Sequence, residues 1–280
     1  LPMLIVGAIV LYLSAPKKEG LVYFTSLNLN AYKNDLFHAF LGRIGGVSKD
    51  TNASLNTNFF SQDKIENVEK NRHLIEKHFG LPSIITPKQE HTTKILEITQ
   101  PDFKNWDNEN AKVADALLLN AKNNCAITLG VQTADCCPII FYEPQNKIVC
   151  ITHAGWQGAL TGVIEESVAA ILKNSGKIEN IIVGTGPFFH SPHYEVQTDF
   201  YSKFTSADKN YKQFFKKIKS GYLFNFEKFV AHKFKILGIK NYEISGLDTF
   251  ANPELFFSYR YSTLNGEKFQ GREISIVNLQ

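Results

Sequence analysis

The sequence predicts an α/β fold, and three observations carry that prediction. Short apolar runs bounded by Asn, Gly and Pro recur through the middle of the chain. An amphipathic segment with helical spacing lies between two of them. No internal repeat or low-complexity linker divides the chain after residue 20. With 280 residues and 44% hydrophobic content the chain can bury a large core, as one big domain or two small ones.

The elements follow in order. "LPMLIVGAIVLYLSAP" (1–16) carries no charge, and "KKEG" (17–20) ends the run. A membrane span needs ~20 apolar residues and a secretory signal begins with a basic n-region. The segment therefore reads as an apolar N-terminal extension (1–20) outside a working domain of 21–280, with a membrane tether the weaker reading. "NVEKNRHLIEKHFGL" (67–81) spaces Val68, Leu74, Ile75 and Phe79 as one helical face, and Gly80 sits where a stop belongs. "ADALLLN", "NCAITLGVQTADCCPIIFY" and "KIVCITHA" read as buried strands. Gly155 and Gly158 then lead into a helix over "ALTGVIEESVAAILKNSG", ending at Gly176, before "IENIIVGTG" returns as a strand. Strand, helix and strand in that order form a βαβ-like unit.

Further on, 203–240 interleaves Lys with Phe. That mixture reads as a Phe core face and a solvated Lys face rather than a nucleic-acid contact. "FFSYRYSTLNGEKFQGREISIVNL" reads as a terminal hairpin. The 30 basic and 27 acidic residues leave a formal charge of +3, far from the dense basic footprint of a nucleic-acid binder. Cys125, Cys136, Cys137 and Cys150 lie mostly in apolar runs, which favours reduced thiols in a cytoplasmic protein over a disulfide scaffold.

Two reactive side chains sit at strand ends, where α/β proteins hold loops rigidly yet reach solvent. Cys136 follows "TAD", and His153 precedes a small Gly-containing loop. Taken singly, a buried Cys is usually an inert small hydrophobe and a lone His a satisfied core or surface group. Together they form either a thiol nucleophile with its base or part of a metal site. Cys137 points the opposite way along a strand, so the vicinal pair cannot chelate as a CxxC does. His91, in the polar loop "TPKQEHTTKI", offers a third donor. One Cys and two His leave the fourth tetrahedral position of zinc open, the mark of a catalytic site. Zinc so held lowers the pKa of a bound water to about 7.

These motifs resemble the bacterial laccase-domain family. "TADCCPII" and "THAGWQG" are the specific part; "HAFLGRIGGVS", "ENVEKNRHLIEKHFGL", "KQEH", "VADALL", "GP…YEV" and "FFSYR…GR" extend the likeness from about Phe37 to the C-terminus. That family, long labelled multicopper polyphenol oxidase, is regarded as one of zinc-dependent purine nucleoside phosphorylases with adenosine deaminase side activity. The resemblance implies zinc on His91, Cys136 and His153, and the affinity order of divalent metals would let copper take the same site. It implies a single three-layer domain of mixed β-sheets flanked by helices, similar to toxins that use a Cys–His pair as hydrolases. It also implies purine nucleosides and phosphate as partners, and is compatible with a homodimer.

Phosphate and ribose call for cationic and amide groups. Arg43, Asn56, Arg260 and Arg272 lie in matching motifs, and Arg grips phosphate bidentately; a surface or structural ion pair is the alternative for each. The turn "HAGWQG" can also meet an anion through backbone N–H groups. Asp135 can orient a ligating His, accept a proton or simply make a turn. The chain departs from the family at Thr92, where Gly is common, at "GR" for "TR", and at Gln157 for Arg. It also carries "FFHSPH", whose His190 and His193 are spaced like ligands but read as a surface turn.

Three other readings remain, one of them a non-enzymatic binding module that uses zinc only structurally, against which three protein ligands rather than four argue. A true laccase needs a type-1 copper site and a trinuclear cluster, and the six His left beyond the first site, with no His-x-His pair, are too few. A cysteine hydrolase would use Cys136 as nucleophile and His153 as base, with His91 incidental.

Overall fold

A computed structural model describes residues 3–6, 9–13, 20–100, 102, 105–123, 126–267 and 271–280. A seven-stranded sheet runs in the order Met3–Val6 (β1), Ile9–Leu13 (β2), Val22–Ser26 (β3), Leu36–Leu41 (β4), Glu273–Leu279 (β16), Thr128–Thr133 (β8) and Ile84–Ile85 (β5). A six-stranded sheet runs Asn241–Glu243 (β15), Ile182–Thr185 (β11), Cys137–Glu143 (β9), Ile148–Ala154 (β10), Ala116–Asn120 (β7) and Ile95–Glu97 (β6). A small third sheet joins Glu195–Val196 (β12), Gly221–Phe224 (β14) and Phe215–Ile218 (β13). Both large sheets are mixed: β5–β8, β6–β7 and β11–β15 pair parallel and the other neighbours antiparallel. The helices are Leu27–Asn30 (α1), Ile65–Phe79 (α2), Trp156–Thr161 (α3), Val163–Lys173 (α4), Thr198–Ala207 (α5), Phe226–Ile236 (α6) and Tyr259–Leu264 (α7).

Period-two alternation decides how the sheets stack. On β10, Val149 and Ile151 face Leu129, Val131 and Val277 of the larger sheet, while Ile148 and Cys150 turn towards α4 and α6. The outer face of the larger sheet buries Leu41, Ile274 and Ile276 beneath Ile75 of α2. Two mixed sheets thus pack face to face with helices on both outer sides. The chain is the expected α/β architecture of mixed sheets flanked by helices.

The βαβ-like unit is present: β10 leads through α3 and α4 to β11, with β9 antiparallel between the two strands. The predicted single helix there is two, because Gly162 turns left-handed at φ 115° and caps α3. α2 ends at Gly80 with φ 65°, as its sequence requires. Its buried face differs from the expected one. Leu74 is 38% exposed, whereas Asn71 is buried and bonds the loop backbone at Val47, Ser54 and Asn56. The terminal hairpin is a correction. Residues 256–264 bury Phe256 and Phe257, and Ser258 caps α7 by accepting from the Tyr261 N–H. β16 instead pairs with β4 and β8 inside the large sheet.

The Lys- and Phe-rich stretch spans α5, a 3-10 turn, β13, β14 and α6. Phe204, Phe214, Phe229 and Phe234 are core, and Lys233 is buried against Glu165 at 2.6 Å. At the N-terminal end, β1 and β2 form an antiparallel hairpin on β3. Residues 17–19 of the predicted break, and Cys125, lie outside the described residues.

Candidate metal centre and substrate pocket

The site forms where β8 and β10 end and β7, β9 and β16 begin. Pairing of β9 with β10 sets His153 opposite Pro138 and Ala154 opposite Cys137, so Cys136 emerges beside His153. Cys137 is fully buried in the opposite direction. His91 arrives on the loop before β6, in the left-handed region at φ 58°. Reciprocal bonds brace that loop to β8: Gln89 Nε2 donates to the Gln132 carbonyl at 2.7 Å, and the Gln132 N–H to Gln89 Oε1 at 2.8 Å.

One ligand atom from each of His91, Cys136 and His153 lies within 4.8 Å of the other two, and Cys136 Sγ is 3.8 Å from His91 Nε2. Donors around a tetrahedral zinc stand roughly 3.3–3.8 Å apart given bonds of ~2.0–2.3 Å, so small side-chain rotations close the triangle. His153 Nε2 is buried without a hydrogen-bond partner, which an ion in the triangle would supply. The donor set fits a metal, and this is the one such group among the described residues. Gly155 is the third residue of "HAGWQG", and a Cβ there would stand 2.6 Å from His91 Cδ2 and 3.1 Å from Cys136 Sγ. The glycine is required by the close approach of two ligands. The helix it precedes has only six residues.

The charges are coupled. Burial opposes ionisation of Cys136, but the His153 and His91 imidazoles override it and draw the thiol down to about 5. Burial likewise opposes a charged His153, and the Cys136 thiolate with the Asp115 carboxylate reverses this, raising the imidazole to about 9. Each group thus favours the charged form of the other, the thiol drawn down and the imidazole raised.

Sequence reasoning missed Asp115. Its Oδ1 lies 2.7 Å from His153 Nδ1, and both side chains are fully buried. The same carboxylate accepts from the backbone N–H groups of His91 and Thr92 at 3.1 and 2.6 Å. Asp135, read from the sequence as orienting a His, accepting a proton or making a turn, accepts from Thr249 Oγ1 and from the Arg260 N–H, each at 2.6 Å. Chiefly because of burial its carboxyl is pushed up to about 6.

A cavity of about 350 Å³ opens onto His91 and Cys136. Aromatic side chains of Trp156, Phe189, Tyr194, Phe226 and Tyr259 line it, together with Arg260 and Arg272. Arg260 lies over the Phe189 and Tyr194 rings and donates to the Glu195 carbonyl at 2.9 Å. The Arg272 guanidinium makes no hydrogen bond among the described residues, while its backbone N–H donates to Asn56 Oδ1 at 3.0 Å. The structure does not bring Arg43 or Asn56 to the cavity wall. Arg43 donates to the Ala53 and Pro253 carbonyls and lies over Phe257. Asn56 is buried and bonds Ser61, Asp63 and the Arg272 backbone. His193 pairs with Asp248 at 2.6 Å and His190 faces Glu227 at 3.6 Å, so both are tied into the fold outside the three-ligand group. No helix of the described residues is long and apolar enough to cross a membrane.

A Haemophilus influenzae protein named purine nucleoside phosphorylase is 34% identical over 85% of this chain and 94% of its own length. The Escherichia coli protein named purine nucleoside phosphorylase YfiH is 31% identical over 80% of this chain and 88% of its own. The solved structure of a Bacillus licheniformis hypothetical protein, YfiH, superposes with a TM-score of 0.83 at 26% identity, covering 96% of this chain and 99% of that one. The family described as multi-copper polyphenol oxidoreductase laccase matches residues 37–280, which contain His91, Cys136, His153 and the whole cavity wall; the chain belongs to that family.

Proposed function

We propose that the chain is a cytoplasmic zinc-dependent purine nucleoside phosphorylase with adenosine deaminase activity. The observation that carries this reading is the His91–Cys136–His153 triangle opening onto a cavity walled by aromatic rings and two arginines. When bound there, zinc supplies a Lewis acid that polarises an oxygen of water or substrate. The chain's own residues do the rest. The Tyr259 ring, 63% exposed at the cavity, offers a face for a purine, and stacking of this kind contributes ~1–3 kcal/mol per base. Arg272, with a guanidinium uncommitted among the described residues, and Arg260 grip phosphate. Asp135, at about 6, holds or yields a proton near neutrality.

The reaction is attack of phosphate on the anomeric carbon of adenosine, inosine, guanosine or methylthioadenosine, releasing the base and ribose 1-phosphate. Water in place of phosphate, directed at adenosine's amino-bearing carbon, gives inosine and ammonia. The names of the relatives support the first activity. Free Cys136, Cys137 and Cys150 support a reducing compartment.

A second reading has a specific observation behind it: the lowered Cys136 thiol beside His153 is a competent nucleophile–base pair when metal-free. Copper in the triangle is a third, since affinity order favours it over zinc. One experiment separates them. Inosine incubated with and without phosphate should give hypoxanthine only with phosphate. Equal release in both would point to the hydrolase, and oxidation of a phenol without nucleoside turnover to copper chemistry.

A further inference from the structure

We infer that Asp115 is a positioning residue: its one carboxylate presets two metal donors carried on separate segments, by fixing which nitrogen of His153 is free and where the His91 loop sits. The inference rests on the metal reading above and adds a residue to it.

The carboxylate takes five donors. Oδ1 receives His153 Nδ1 at 2.7 Å and the His91 N–H at 3.1 Å. Oδ2 receives the Thr92 N–H at 2.6 Å, the Thr92 hydroxyl at 2.8 Å and the Glu90 N–H at 3.3 Å. An ionised carboxylate can only accept, so Nδ1 must carry its proton, and Nε2 is the nitrogen left to ligate. That Nε2 is the buried atom without a partner. The same two oxygens tie down residues 90–92, where His91 adopts its left-handed backbone. Asp115 itself is set by the sheet: it stands immediately before β7, its N–H donating to the Lys94 carbonyl and its carbonyl accepting from the His153 N–H at 2.7 Å.

An amide of identical shape cannot replace it. With the NH2 in the Oδ1 position, Nδ1 of His153 must become an acceptor, which puts the proton on Nε2 and removes a donor from the triangle. With the NH2 at Oδ2, it meets the Thr92 and Glu90 N–H groups, donor against donor, and the His91 loop shifts. Either orientation disables one ligand.

The test compares the full chain with Asp115→Asn, using zinc in competition with a chromogenic chelator and cobalt(II) as an absorbing probe. The variant should bind zinc about 10- to 100-fold more weakly, and its cobalt spectrum should lose tetrahedral intensity. Affinity within twofold of the parent would overturn the inference. A second measurement covers a variant that fails to fold. In the unsubstituted zinc-loaded chain, long-range 1H–15N correlation should find the His153 proton on Nδ1, and a proton on Nε2 would overturn the inference outright. A parent that binds neither zinc nor cobalt removes the metal reading itself, an outcome distinct from a parent that binds and a variant that binds equally well.

Discussion

A Cβ on Gly155 would lie 2.6 Å from Cδ2 of His91, closer than real side chains approach. The glycine after "HA" is thus a space reserved for a ligand's ring, and the His91 loop packs against the end of β10 because nothing fills that space. Gly155→Ala should push His91 out of the triangle. Overpacking strain of about 1–3 kcal/mol corresponds to roughly 5- to 150-fold weaker zinc binding. Competition titration against a chelator checks it, and unchanged affinity would show that His91 is not held by this contact.

Arg272 and Arg43 should separate cleanly. Losing a charged hydrogen bond of about 1.5–3 kcal/mol, Arg272→Gln should raise the KM for phosphate about 10- to 100-fold and leave the melting temperature nearly unchanged. Arg43→Gln breaks bonds to the Ala53 and Pro253 carbonyls, so it should lower stability by about 1–3 kcal/mol and leave that KM within twofold. Steady-state kinetics with paired thermal melts on both variants decides; a reversed pattern would exchange their roles.

Tyr259 lines the cavity while 63% exposed, so its removal should touch binding more than folding. Tyr259→Ala is expected to raise the KM for inosine about tenfold, from ~1–3 kcal/mol of lost stacking. Unfolding free energy should stay within about 0.5 kcal/mol, as for other exposed positions. No change in KM would place the base elsewhere in the cavity.

The Cys136–His153 pair makes a pH prediction for the metal-free chain. The folded thiol is drawn down to about 5, so the thiolate persists above that pH and is lost only as pH falls through it. Iodoacetamide labelling of Cys136 should therefore continue well below pH 7, whereas a free thiol inflects near ~8.5. Saturating zinc should slow labelling at every pH. An inflection between pH 8 and 9 would mean that the imidazoles do not act on the thiol.

Much of this site was legible in the sequence, because strand ends announce themselves. Cys136 and His153 each close or open an apolar run, and His91 sits in a polar loop that has no core to join. Asp115 was not found, since its partner lies 38 positions away on a neighbouring strand. The signal was present: a carboxylate opening the apolar run "DALLL" is costly to bury unless something pairs with it. Arg43, by its motif equally an anion ligand or a structural group, donates to the Ala53 and Pro253 carbonyls, the second 210 positions away, a partner that no local pattern reveals. The terminal hairpin failed because Ser258 supplies a helix cap that period-two alternation does not reveal.

X-ray absorption at the zinc edge of the purified chain tests the coordination triangle most directly. About one zinc per chain is expected, with one sulfur at ~2.3 Å and two imidazole nitrogens at ~2.0–2.1 Å in its inner shell. Zinc lacking the sulfur scatterer, or protein purified under metal-replete conditions with no bound metal, would contradict it.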